Sequence, residues 1–497
     1  MPERSRKRRC VVSSKNTNES YAVDVEEDKL NKWSEEFNSD PANVMIKNAV
    51  VSVGSGNIAI DSEESRKVTH LFMNTLKKHN LKATNQGQSG RCWMFSGLNT
   101  FRHLLIKALN LENFEFSETY LFFYDKLERC NYVLQWFIDH PEYNIYSREA
   151  EFMISSGAYM GDGGYWHSFT NLIKKYGVVP KEAMPETWQS QDSDDLNSEI
   201  LYRLFSCANW IYRNHSKMTH NQLMKQKNDT IKQIHSILVK YLGEPPKDFV
   251  WYYQTEGNDE NSTNALQSTP KDFTEMCLSG LDMDDFVVLG NFPMERCLER
   301  KKYEVGYTSN LTDGQNTSFV NLPIYELKKY VKKSILQGLP VWFSADVSHG
   351  FNYINSSLNN KMSNTDLLFG PSLQFSKGDR VDFGVSNGNH AMLILGVNLD
   401  ENENPVSWQV ENSWGFADSH ERGMDGFLSM SDEWFEENVF QVAVHKKFLS
   451  RTLQKVVEEP AQYLNPWDSM APALKVKPMD APKDYLEKLG CKKWKVM

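Results

Sequence analysis

Apolar residues recur at helical spacing through much of the first half of the chain and gather into strand-length runs in the second. The pattern predicts helices over residues 29 to 40 and 61 to 80. An apolar run from Trp93 to Leu105 predicts a helix from Cys92 to about Leu109. Ser117 is placed to cap a further helix, Glu118 to Cys130, through its hydroxyl. The glycines of Gly161-Asp162-Gly163-Gly164 mark a turn before a helix from Tyr165 to Tyr176. Leu196 to Leu242 mixes helically spaced apolar residues with many Lys, Gln and Asn, which predicts long surface helices. A polar loop follows from Gly257 to Pro270. A helix from Tyr325 to Gln337 then leads into a strand from Leu339 to Ala345. Further strands are predicted over His390 to Asn398, Pro405 to Asn412 and Gly426 to Met430. A helical lobe thus precedes a sheet-rich one, behind a polar segment of about 25 residues.

Composition narrows the class. The 497 residues are enough for two or three domains, and 40% apolar content supplies real cores. A net charge of −10 argues against nucleic acid as the main partner of the whole surface. No apolar run approaches the roughly 18 residues of a membrane span; the best, Ala391 to Val397, reads as a buried strand. The N-terminus lacks an apolar h-region, so no secretory signal is expected. The seven cysteines, Cys10, Cys92, Cys130, Cys207, Cys277, Cys297 and Cys491, show no metal-ligand spacing, and an odd, sparse set suits thiols in the cytosol. His215, His220 and His235 lack a framing Cys or carboxylate and read as solvated, so neither a metal nor an organic cofactor is implied. Arg4, Arg6, Lys7, Arg8 and Arg9, followed by acidic residues from Asp24 to Asp28, read as a solvated tail, with a nucleic-acid or import patch as the alternative.

The chemistry concentrates in three short stretches: Gln86-Gly-Gln-Ser89-Gly90-Arg91-Cys92-Trp93, then Asn389-His390, then Glu411-Asn412-Ser413-Trp414-Gly415. A thiol is a weak nucleophile until an imidazole holds its proton. The imidazole in turn needs orienting, which an Asn amide can do. The Gln86 amide and the Cys92 backbone N–H can act as donors to an oxyanion. The start of a helix at Cys92 favours the thiolate. Each residue alone is weakly informative. The ordered set Gln, Cys, His, Asn, with Ser-Gly-x-Cys-Trp around the thiol, is a strong signal and resembles the papain-type cysteine peptidases.

The resemblance narrows on two departures. The papain signature has a disulfide-forming cysteine where this chain has Ser89, as suits a reducing compartment. His390 lies 298 residues after Cys92, against about 130–150 in papain-like enzymes, so a large insertion separates the catalytic halves. FEFSETYLFFYDKLERCN from Phe114, GDGGYWHSFTNLIKKYGVVPK from Gly161, PIYELKKYVKKSILQGLPVWF from Pro323 and VENSWG from Val410 resemble the bleomycin hydrolase branch of that family, over about residues 25 to 474. Asn389 stands where that branch more often has Thr.

The resemblance implies an α+β, two-lobed papain-like fold with a large helical insertion and a C-terminal arm. It divides the chain into a charged tail (1–28), a helical lobe with Cys92 (29–184), a mainly helical insertion (185–322), a sheet-rich lobe with His390 and Asn412 (323–450) and an arm with an extension (451–497). It implies a cytoplasmic cysteine aminopeptidase acting through a Cys92 thioester, assembled as a homohexamer, with peptides as substrates and no membrane partner. Gly163 and Gly164 are expected to bind the substrate backbone, with an ordinary turn as the alternative. Trp414 is expected both to shield the His390–Asn412 pair and to contribute to substrate binding. In the family the arm ends in the cleft near Ala473 or Leu474 and its carboxylate meets the substrate amine. Here the sequence runs on to Met497, so a poor aminopeptidase, tail removal, or a substitute reader such as Asp468 is expected. The rival readings are a transglutaminase-type acyltransferase, disfavoured by Asn rather than Asp at 412, and a nucleic-acid-holding protein on an inert papain scaffold.

Overall fold

The computed structural model describes residues 24–155, 159–257, 263–278, 280–352, 355–415 and 426–470. The predicted N-terminal basic cluster and the residues beyond Met470 lie outside them. Contacts divide the chain into two units, one of residues 1–60 with 364–371 and one of the remainder. In the first unit, α1 (Glu27–Ser39) and α2 (Pro41–Val53) follow one another, joined at Asp40, whose side chain accepts from the Ala42 N–H and caps α2. Neither helix has a buried residue: Leu30, Trp33, Phe37, Met45 and Val51 are all exposed.

The second unit carries the site. Its helices include α3 (Cys92–Leu109), α4 (Glu118–Asp139), α5 (Trp166–Tyr176), α6 (Asp194–Asn214), α7 (His220–Leu242) and α8 (Ile324–Leu336). The Ser117 hydroxyl caps α4 as expected, accepting from the Tyr120 N–H at 3.1 Å. The helices close on an aromatic-rich core with Phe101, Phe114, Phe122, Trp136, Trp166 and Phe273.

The strands are β1 (Phe286–Gly290), β2 (Lys301–Val305), β3 (Ser318–Asn321), β4 (Val341–Ala345), β5 (His390–Leu399), β6 (Pro405–Glu411), β7 (Phe427–Ser431), β8 (Val439–His445) and β9 (Gln462–Leu464). They run β9-β2-β3-β1-β8-β4-β5-β6-β7 across one sheet, which is extended beyond β7 by the short strands Ser357–Leu358 and Phe351–Asn352. The central pairs β8–β4, β4–β5, β5–β6 and β6–β7 are antiparallel. Register places His390 opposite Ala345 and Leu393 opposite Glu411. The aliphatic and aromatic face of this sheet forms a second core with Val331 and Ile335 of α8.

Four expectations need correction. The helix read over 61 to 80 stops at Lys67; Asn74 and Thr75 instead pair with Val397 and Gly396 of β5, so strand pairing overrides local pattern. The polar loop read from Gly257 to Pro270 contains a strand, Asn264–Ser268, paired antiparallel with Phe249–Tyr253, while Leu196 to Leu242 forms two long amphipathic helices as expected. Within 185–322, residues 286 to 321 supply three strands of the main sheet rather than helix. Of the three histidines read as solvated, His220 and His235 are exposed, whereas His215 is half-buried, its Nε2 2.8 Å from the Ile138 carbonyl. Among the described residues no helix is long and apolar enough to cross a membrane, and no three His, Cys, Asp or Glu side chains converge as a metal site.

Candidate active site

Cys92 opens α3, on the first turn, where backbone N–H groups have no acceptor within the helix. His390 opens β5, and Asn412 directly follows β6, the strand paired with β5. The two ladders bring the imidazole and the amide together: His390 Nε2 lies 2.8 Å from Asn412 Oδ1. The orientation of that amide is determined independently, because the Ser413 backbone N–H donates to the same oxygen at 2.8 Å. Nε2 must therefore carry the proton. The other ring nitrogen, Nδ1, is buried without a hydrogen bond. His390 is 2% exposed, and burial, only partly offset by the Asn412 hydrogen bond, pulls its pKa down to about 4. The resting imidazole is neutral, with its basic nitrogen unspent.

The thiol lies beside that nitrogen's strand. The Ala391 backbone N–H is 3.5 Å from Cys92 Sγ, and Cys92 and His390 line one cleft together with Trp93, Gly163, Gly164 and Trp342. The two lobes are joined here by the Trp342 indole, which donates to the Trp93 carbonyl at 3.2 Å.

Gln86 is fully buried and held at both ends. Its Nε2 donates to the Ser89 carbonyl at 2.5 Å, and its Oε1 accepts from the Ser413 hydroxyl at 2.6 Å. One N–H of the amide is thus spent on the loop, and Gln86 is not among the residues that line the cleft with Cys92 and His390. The Gln86 backbone N–H donates to the Ser413 carbonyl at 2.8 Å, which fastens the loop before Cys92 to the segment after Asn412.

The glycine pair lines the cleft for a reason beyond turn formation. A Cβ at Gly164 would lie 2.5 Å from the Trp93 indole, so only glycine lets the two segments approach. The Gly163 carbonyl is already taken by Arg129, at 2.8 Å. The expectation for Trp414 is met in one half only. Its ring lies against His390 at 4.7 Å between centroids, but it is 1% exposed and has no face to offer a substrate.

Several buried charges that organise the site are indistinguishable in sequence from surface residues. Asp162 accepts from the Gly90 N–H at 3.3 Å, from Asn197 at 2.9 Å and from the Ser193 hydroxyl, and pairs with Lys126 at 2.7 Å. Burial alone would raise its pKa; Lys126 and the hydrogen bonds outweigh this and hold it well below the usual carboxylate range. Its own carbonyl accepts from the Trp93 indole at 2.7 Å, so one residue grips the chain on both sides of Cys92. Ser89 occupies the disulfide position of papain-like enzymes. Its hydroxyl donates to the Gln86 carbonyl at 2.6 Å and accepts from Arg91 Nε at 2.8 Å, while Arg91 pairs with Glu186. The five described cysteines are all thiols. Asp468 is bound by Arg296 through two contacts of 3.1 Å, which commits the carboxylate considered above as a reader of the substrate amine.

Lobes, sheet and the Cys–His–Asn arrangement define a papain-type thiol peptidase. The sequence matches the Peptidase C1-like family over residues 24–471, and the chain belongs to that family. It is 33% identical to human bleomycin hydrolase, over 89% of this chain and 97% of that protein. It is likewise 33% identical to aminopeptidase C of Listeria innocua, over 90% and 99% respectively. Among solved structures it is similar to PepW from Lactobacillus rhamnosis, with a TM-score of 0.84 and 30% identity over 90% of this chain and 99% of that one. The fold is accordingly the two-lobed α+β papain-like one, and the protein is a cysteine peptidase that acts on peptides.

Proposed function

We propose that the chain hydrolyses peptide bonds near the N-terminus of its substrates, with Cys92 as nucleophile and His390 as the group that takes and returns the proton. Asn412 fixes the ring so that Nδ1 faces the thiol. Cys92 attacks the scissile carbonyl, and the oxyanion accepts from Gln86 Nε2–H and the Cys92 backbone N–H. His390 delivers the proton to the departing amine, leaving a thioester. Water, deprotonated by the same ring, then releases the acid and restores the thiol. Gly163 and Gly164 hold the substrate backbone along the cleft. The observation that carries this reading is the buried His390, with one nitrogen tied to Asn412 and the other unspent in a cleft it shares with a thiol. The aminopeptidase direction is supported by the similarity to aminopeptidase C of Listeria innocua.

Three finer points belong to the same proposal. Of the boundaries drawn from the sequence, the start of the sheet-rich lobe moves back from 323 to about 286, because three strands of the main sheet lie within 286–321. A homohexamer is supported by the exposed apolar side chains of α1 and α2, which a monomer rarely leaves in water. A cytoplasmic location is supported by the described thiols and by Ser89 at the disulfide position. Acyl transfer of the transglutaminase type is less well supported, because Asn412 and not an Asp orients the ring.

Cys92→Ala is expected to abolish hydrolysis of free-amine peptides while leaving the melting temperature unchanged. Iodoacetamide is expected to label Cys92 ahead of the other six cysteines. Peptide mapping that finds another cysteine labelled first, with activity lost, overturns the assignment.

A further inference from the structure

Three chain segments that carry proposed catalytic groups are tied together through one buried carboxylate and the helix donors that grip it. Glu411 ends β6, one residue before Asn412, and is fully buried. Successive side chains of an extended chain point to opposite faces. Asn412 turns to His390, and Glu411 turns to α3, the helix that begins with Cys92. There its Oε1 accepts from Arg102 at 2.9 Å and from Asn99 at 3.2 Å, and its Oε2 lies 2.6 Å from His103 Nε2. All three partners belong to α3 and are buried.

The third segment is the strand-like stretch that ends in Gln86. Asn99 also donates to the Thr84 hydroxyl at 2.9 Å, and Arg102 to the Lys82 carbonyl at 3.0 Å. The Thr84 carbonyl accepts from the Gly415 N–H at 2.9 Å, which closes the circuit behind Asn412. His390 joins through the ladder, since Glu411 is registered against Leu393 of its strand. Arg102 and Asn99 thus carry the carboxylate's hold on α3 across to the stretch that ends in Gln86.

We infer that Glu411 is a positioning residue for catalysis: it sets where Asn412, and through it His390, stands relative to the Cys92 thiol. This rests on the catalytic reading above. A buried carboxylate gripped by three donors from one helix is worth most where a small displacement is costly. A misplacement of about 1 Å in a catalytic constellation can cost roughly 100-fold in rate. The effect should fall on the chemical step rather than on substrate affinity, because Glu411 lies behind the site and away from the cleft lining.

The test is a cycle of Glu411→Gln and Asn412→Ala in the full chain. Glu411→Gln keeps the shape and loses the charge. Its kcat is expected to fall about 10- to 100-fold with KM within about twofold, and the alkylation of Cys92 by iodoacetamide should slow in parallel. In an Asn412→Ala background the same change should have little further effect, because the group that Glu411 positions is gone. A lower melting temperature is expected under either role, since Arg102 loses its buried partner; a merely structural role would instead give losses that multiply in the double variant. An unchanged kcat in folded Glu411→Gln, or full multiplication in the double variant, overturns the inference. Should Glu411→Gln not fold, His103→Gln, which keeps an N–H donor, replaces it in the same cycle with the same two outcomes. The underlying reading fails separately: an active Cys92→Ala protein removes it, whereas an inactive Cys92→Ala beside an unimpaired Glu411→Gln removes only the positioning role.

Discussion

Close to Cys92 lie Arg91, Lys126, Asp162, Lys181 and Glu186, all withdrawn from water or nearly so and all paired. The strand of His390 continues instead into Ala391, Met392, Leu393, Ile394 and Leu395, each buried against hydrocarbon. The two halves of one site are thus held by opposite means. The reason lies in the backbone. β5 is hydrogen-bonded on both sides, to β4 and β6, so its N–H and C=O groups need nothing from side chains. The loop from Leu81 to Arg91 has no such ladder and must find partners elsewhere. Asp162, Ser89, Arg91 and the Gln191 carbonyl provide them. Buried charge marks the irregular half of the site, and apolar packing marks the regular half.

The largest expected effect tests the charged half. Asp162→Ala leaves Lys126 buried without its carboxylate and the Gly90 N–H without its acceptor. A loss of about 3–5 kcal/mol in urea unfolding is expected. A loss below about 1 kcal/mol would show that the charges merely accompany the loop, and would break the comparison.

The second effect tests the apolar half by acid. His390 has its pKa lowered to about 4 by burial, and so does His167, whose burial is reinforced by Lys174 and Lys302. Between the unfolded value near 6.5 and about 4, the unfolded chain binds protons that the folded chain refuses. Stability is therefore full above that window and falls as pH drops through it, by on the order of 3 kcal/mol for each ring. Unfolding curves at several pH values, compared between wild type and His390→Gln, should show a shallower acid dependence in the variant. Identical slopes would mean that the ring is not held neutral by burial.

The smallest effect probes the seam between the halves. Gly164→Ala drives a methyl into the Trp93 indole and is expected to cost about 1–3 kcal/mol by thermal unfolding, with some loss of activity. An unperturbed variant would mean that Trp93 can retreat, and that the cleft wall is softer than its packing implies.

The four positions proposed as catalytic stood out in the sequence because such chemistry demands particular residue types in a fixed order, and spacing carries that order. The helix from Cys92 to Leu109 was legible at both ends for a related reason: Asn110 adopts a left-handed conformation and ends it. What escaped depends on partners distant in sequence. Asp162 and Glu411 received no role from the sequence, because nothing local announces Lys126 or Arg102. The segment 68–80 kept a helical pattern, yet strand pairing with β5 decided its conformation. Asp468 stood as a substitute reader of the substrate amine, yet Arg296, far upstream in sequence, holds it. Trp414 was correctly tied to His390, but sequence gave no measure of how deeply it is buried.

The hydrogen bonds of Ser89 have a consequence for the history of this branch. A cysteine there would offer sulfur, a poor donor and acceptor, to the Gln86 carbonyl and to the buried Arg91 guanidinium. Restoring the extracellular-type cross-link would then require at least three coordinated replacements: Ser89, its new partner, and Arg91 with its charge. A replacement at Ser89 alone would leave the Arg91 guanidinium without one of its buried acceptors and the Gln86 carbonyl without the hydroxyl that donates to it. The loop before Cys92 is wired around a hydroxyl, and a cross-link at this position is incompatible with that wiring.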